Sequence, residues 1–109
     1  MTGDDATTLL AAADRLRTLA ARTTGGDWRI GGLLASRPEV IAHAPDGGTE
    51  HVAEARTRSA AWITALSPAV AEPLATWLTA AATAGGPDPA AVALARVLLG
   101  RLPEGPPAP

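Results

Sequence analysis

Apolar residues recur with helical spacing at the start of the chain. Leu9, Ala12, Ala13, Leu16, Leu19, Ala20 and Thr23 fall on one side of a 3.6-residue wheel, and Asp14, Arg15, Thr18 and Arg22 on the other. A helix is predicted from Ala6 to about Thr23. Asp4 or Asp5 caps its start, Arg22 suits its negative end, and Gly25-Gly26 stops it.

The helical period then vanishes. Trp28-Arg29-Ile30 and Glu39-Val40-Ile41-Ala42-His43 are short, β-prone and bounded by Gly and Pro, as strands are. Gly31-Gly32 suggests a bulge or a close backbone approach. Pro45-Asp46-Gly47-Gly48 reads as a turn, because proline presets φ and Asp-Gly tolerates positive φ. Thr49 to Ala53 then pairs back on the second strand, or Val52 to Ala55 begins the next helix.

Three further helices follow. The first spans about Thr57 to Leu66, with Ser59, Trp62, Ile63 and Leu66 on one face. Ser67-Pro68 opens the second, which carries Val70, Leu74, Trp77, Leu78 and Ala81 and contains Pro73, a kink or a cost of roughly 3 kcal/mol unless the first turn is irregular. Asp88-Pro89 caps the last, which runs to about Leu99 and ends at Gly100. The expected fold is α+β and mainly helical: an N-terminal helix, a short antiparallel β meander, then three helices. Residues 1–102 make one small domain, and the Pro-rich stretch 103–109 a disordered tail.

Composition narrows the picture. The 109 residues include 26 alanines but only 25 large apolar side chains, so the core is built from small groups. Net charge of −2 argues against disorder and for an Ala-rich packed domain. The expected core consists of Leu16, Trp28, Trp62, Leu66, Leu74, Trp77 and Leu78. The last helix is apolar on more than one side, with Val92 and Leu99 on a second stripe. That surplus predicts a symmetric homodimer with Val92 and Leu99 at its interface, the competing reading being a monomer in which this helix is enclosed by the first and third of the four helices.

The residues that are missing exclude chemistry. Without Cys the chain has no disulfide, thiolate metal site or thiol nucleophile, and without Lys no P-loop or Schiff-base lysine. Asn, Gln, Tyr and Phe are absent too, a bias that points to a high-GC bacterium or one of its phages. No run approaches the roughly 18 apolar residues of a membrane span, and the acidic start does not look like a signal peptide, so the expected location is cytoplasmic.

Trp28 and the junction between the second and third helices carry a resemblance. Thr24-Gly25-Gly26-Asp27-Trp28 stands where the Ead-like small accessory proteins of temperate phages and their actinobacterial relatives have T-P-G-P-W after an N-terminal helix. The stretch from Ser59 to Pro68, SAAWITALSP, resembles their D-A-x-F-I-A-A-x-x-P signature, and Leu74 follows at a matching position. Both prolines of the first motif, and the Asp of the second, differ here. The likeness covers roughly residues 15–82. It implies the same order of elements, a phage or prophage setting, and no catalytic residues.

Candidate sites weigh against chemistry. His43 and His51 flank the turn and could approach each other with Asp46 or Glu50, but they lack recognised metal-ligand spacing. Ser36, Ser59 and Ser67 stand in no nucleophile motif. The sequence therefore predicts no enzyme, no cofactor and no metal, and a protein that acts through an unknown protein partner. The alternative is a nucleic-acid-associated regulator using Arg15 and Arg22 of the first helix and Arg56 and Arg58 at the second. Against it stand the negative net charge, interspersed acids and tryptophans at core-type positions.

Overall fold

A computed structural model describes residues 3–31, 38–84 and 88–104. Helix α1 (Gly3–Arg22) is followed by strands β1 (Asp27–Gly31), β2 (Glu39–His43) and β3 (Thr49–Glu54), then helices α2 (Thr57–Ala65), α3 (Ala71–Thr83) and α4 (Pro89–Arg101). The fold is therefore α+β and mainly helical, in the expected order. Of the region Val52 to Ala55, the residues up to Glu54 belong to the strand and none to a helix.

Contacts gather in two compact units: Met1–Arg22 with Ala71–Pro109, and Thr23–Val70. The tail at 105–109 and Ser36 lie outside the described residues.

The helical unit packs α1 against α3 and α4. Leu9, Ala12, Ala13, Ala75, Leu78, Ala81, Ala91, Val92 and Ala95 form its buried cluster, six of the nine being alanine. Methyl side chains let helix backbones approach closely, so an alanine-rich stripe can exclude water with little bulk. Leu16, Leu74, Leu98 and Leu99 pack around this cluster, partly buried. Pro73 sits in the first turn of α3, where no intrahelical partner is lost, so the interior kink does not arise. Asp88 caps α4 as expected, its side chain accepting from the Ala90 N–H at 2.9 Å. Gly100 does not stop α4, which continues to Arg101.

Two expectations about this unit need correction. Val92 is only 6% exposed and belongs to the buried cluster, so its side chain is core rather than the surface stripe expected. Leu99 packs against the same cluster. The stripe of Ala91, Val92, Ala95, Leu98 and Leu99 faces α1 and α3, which leaves Val97 as the exposed large residue of α4. Trp77, one position off the buried stripe of α3, is 42% exposed rather than core.

The β unit is an antiparallel sheet in the order β1-β2-β3 with α2 against β1 and β2. Its buried centre comprises Val40, Ala42 and Ala60. Trp28 pairs with Ala42 across the strands, and Ala42 with Glu50, so these three share one face. Val40 opposes Ala53 and Ile41 opposes His51, which makes Val52 an extra residue on β3, a bulge. The hairpin turn follows its residues: Gly47 has φ +91°, and Asp46 Oδ1 accepts from the Gly48 N–H at 2.8 Å. At Gly31 a Cβ would meet Ile41 Cδ1 at 3.0 Å, so the close neighbour is the end of a side chain and not the backbone approach foreseen.

Candidate functional site

Helix α2 is short, and its side chains divide sharply. Ala60 is fully buried and Ser67, just beyond the helix, is 6% exposed, while Ile63 and Thr64 between them are half-buried. These four positions lie at i, i+3, i+4 and i+7, one helical stripe. Thr64 Oγ1 donates back to the Ala60 carbonyl at 3.0 Å and so remains satisfied near the buried side.

The opposite side carries the large residues. Trp62 is 70% exposed and Leu66 53% exposed. The Leu66 N–H donates to the Trp62 carbonyl at 3.0 Å and ends the helix, placing the two side chains one turn apart. Arg58, Ala65 and Ala69 are exposed around them. The result is an aromatic and a leucine side by side on a helix, flanked by a guanidinium.

This overturns the expected core positions of Trp62 and Leu66. Sequence reading placed the bulkiest residues inward. Close contact with the sheet instead selects the face with the smallest residue, Ala60, and turns Trp62 out. The spacing of Ala60, Ile63, Thr64 and Ser67 was the signal that could have found it. Of the other expected core residues, Leu78 is fully buried, Leu16 and Leu74 are partly buried, and Trp28 is half-buried. The Trp28 indole N–H donates to the Thr24 carbonyl at 3.1 Å, which ties the α1–β1 loop to the sheet.

The histidines do not oppose each other directly in the sheet. His43 opposes Thr49, and His51 opposes Ile41. His51 Nδ1 lies 3.4 Å from Glu39 Oε2, a cross-strand pair on an exposed surface. Among the described residues no three of His, Asp and Glu gather as a metal set. Ser59 is exposed on α2, and the Ser67 carbonyl accepts from the Val70 N–H in a 3-10 turn over Pro68–Val70, so the α-helix expected to open at Ser67-Pro68 begins only at Ala71.

The arginines serve different purposes. Arg17 of α1 grips Glu72 of α3 through two nitrogens, with Nη2 to Oε1 at 3.0 Å and Nε to Oε2 at 3.1 Å. The guanidinium hydrogen bond, then the opposite charge, holds the Glu72 carboxyl below its usual value, and the Thr76 hydroxyl adds to this. Arg29 pairs with Asp27 at 2.7 Å, and Arg96 approaches Asp5 at 3.8 Å. Arg22, Arg56 and Arg58 are exposed and Arg15 half-buried.

No helix among the described residues is long and apolar enough to cross a membrane. No family model, curated protein or solved structure matches the chain.

Proposed function

We propose that the protein acts without catalysis, as an interaction module whose α2 presents Trp62 and Leu66 to a protein partner. The observation that carries this reading is the 70% exposure of Trp62 beside a 53% exposed Leu66. An indole left in water forgoes most of its burial free energy, and tryptophan and arginine are enriched where interfaces concentrate theirs. Arg58, one turn before Trp62, would add a polar rim to such a contact. The likeness of residues 15–82 to the Ead-like proteins supports a phage or prophage accessory role for the module.

A second reading rests on the same exposed indole. With Trp62 outside the core, one objection to nucleic-acid binding falls, because an aromatic beside Arg56 and Arg58 suits base stacking. The net charge of −2 and the neighbouring Glu50 and Glu54 oppose it. The two readings part in one experiment. The full chain and a Trp62→Ser, Leu66→Ser variant are used as affinity baits in extract from the source organism, and tested for retardation of a random DNA fragment at low salt. A stoichiometric protein partner lost with the variant supports the first reading. Retardation that falls steeply with salt supports the second. A circular dichroism spectrum shared by both proteins shows that the fold is intact.

A further inference from the structure

Charge is divided around α2 as sharply as bulk. From Ala55 to Ala71 the charged residues are Arg56 and Arg58, with no acid between Glu54 and Glu72. In a chain of net charge −2, this stretch is cationic and leaves all the excess of acids to the rest of the molecule. Both guanidinium groups are uncommitted. Arg17, Arg29 and Arg96 stand against acids, whereas Arg56 and Arg58 make no ion pair or side-chain hydrogen bond among the described residues.

The position of Arg58 is the more telling. Arg58, Trp62 and Leu66 follow one another at intervals of four residues, so they form one ridge along α2. Arg58 also stands in the first turn, where the helix dipole favours a carboxylate and disfavours a cation. The other helices obey that preference: α1 and α3 carry acids in their first turns, and Asp88 caps α4. Arg56, the N-cap residue of α2, makes no side-chain capping bond. Neither arginine serves the helix that carries it.

The two apolar anchors limit what can dock. Trp62 and Leu66 offer roughly 300 Å² of exposed surface, short of the about 800 Å² that each partner of a stable complex buries. A second copy would bring like charges to the same face, with no acid on it to offset them. Nucleic acid draws its affinity from several phosphate contacts, and two arginines near Glu50 and Glu54 supply few. A short segment needs only apolar side chains to meet the two anchors and a carboxylate beside them to meet the guanidinium.

Resting on the reading of α2 as a protein-contact surface, we propose that this surface selects an acidic amphipathic segment of its partner. Large apolar residues of the segment cover Trp62 and Leu66, and a carboxylate meets Arg58, which makes Arg58 the residue that sets specificity.

The test is a selection from random peptides of about 16 residues, four to five helical turns, displayed on phage. They are panned against the immobilised full chain, its Arg58→Glu variant and the Trp62→Ser, Leu66→Ser variant. The expected wild-type pool is enriched about twofold or more in Asp and Glu beside large apolar residues. Arg58→Glu should lose that enrichment and gain Lys and Arg, and the double-serine variant should enrich neither. A synthetic peptide from the wild-type pool should bind Arg58→Glu about three- to tenfold more weakly, one screened charge pair being replaced by a like-charge contact. Fraying of α2 cannot explain that loss, because an acid in the first turn suits the dipole and should keep the melting temperature level or raise it. An apolar pool without charge bias, or one that Arg58→Glu leaves unchanged, would overturn the acidic partner while leaving α2 a contact surface. No enrichment over the double-serine variant would remove the surface itself, and the proposal with it. Displacement of the synthetic peptide by random single-stranded DNA at low salt would assign the face to nucleic acid. A doubled mass in light scattering, lost in the double-serine variant, would assign it to a second copy. Either of these outcomes refutes the proposal.

Discussion

Single side chains in this protein are governed by how little room the backbone leaves. Leu78 has no exposure and touches the alanine-rich cluster, so Leu78→Ala removes one of the few large groups in the helical unit. The expected cost is about 2–5 kcal/mol, read as a fall in denaturation midpoint. Trp62→Ala, by contrast, removes a larger side chain but one 70% exposed, and should change stability by less than about 1 kcal/mol. A larger loss for Trp62→Ala than for Leu78→Ala would reverse the assignment of inside and outside. Gly26 makes the same point through its backbone. Alanine there must adopt φ +89° and clash with the His43 carbonyl, so Gly26→Ala should destabilise by about 1–3 kcal/mol. Gly25→Ala, next in the chain with open space around it, provides the control.

Pairs of elements show where the sequence was readable and where it was not. The short β-prone run Glu39–His43 and the Pro45–Gly48 turn identified β2 and its hairpin, because turn chemistry is local and each residue carries its own conformational preference. Asp88-Pro89 identified the start of α4 for the same reason. Helix faces were harder. In α2 and α3 the tryptophans drew the predicted face toward themselves, whereas Ala60 and Ala75 mark the true contact lines. When just over half the apolar residues are alanine, helical periodicity has several near-equal phases, and packing distance chooses between them. The Arg17–Glu72 clamp between α1 and α3 was equally invisible, since its partners lie 55 residues apart and nothing local announces the pairing. It does predict a pH response. The folded Glu72 carboxyl titrates below its usual value of 4.5, so the clamp contributes stability above the unfolded pKa and loses it as pH falls through the folded one. Arg17 stays charged throughout. Wild type should therefore melt above Glu72→Gln at neutral pH, with a small difference because the pair is exposed, and the two should converge in acid. A gap that persists in strong acid would assign the effect to packing instead.

At the scale of the whole chain, the sequence path and the spatial grouping run in different orders. The helical unit draws on both ends of the chain, and the β unit, Thr23–Val70, is inserted within it. Their apolar interiors are unequal. The helical unit buries nine hydrophobic residues in one cluster, including Leu9, Leu78 and Val92, whereas the β unit has Val40, Ala42 and Ala60 at its centre. Burial of apolar area is the main favourable contribution to folding, so the opening free energies of the two units should differ in the same direction. Amide hydrogen exchange on the intact chain tests this directly. The innermost amides of α1, α3 and α4 should be the slowest to exchange, and those of β1, β2, β3 and α2 should exchange faster even where they are hydrogen-bonded. Leu78→Ala should erode protection first in the helical unit, because the lost contacts lie in its cluster. Val40→Ala should erode it first in the sheet. The same slow rate in both units, with either mutation lowering protection everywhere by one amount, would mean that the chain opens as a single cooperative body and that the inserted unit has no separate stability.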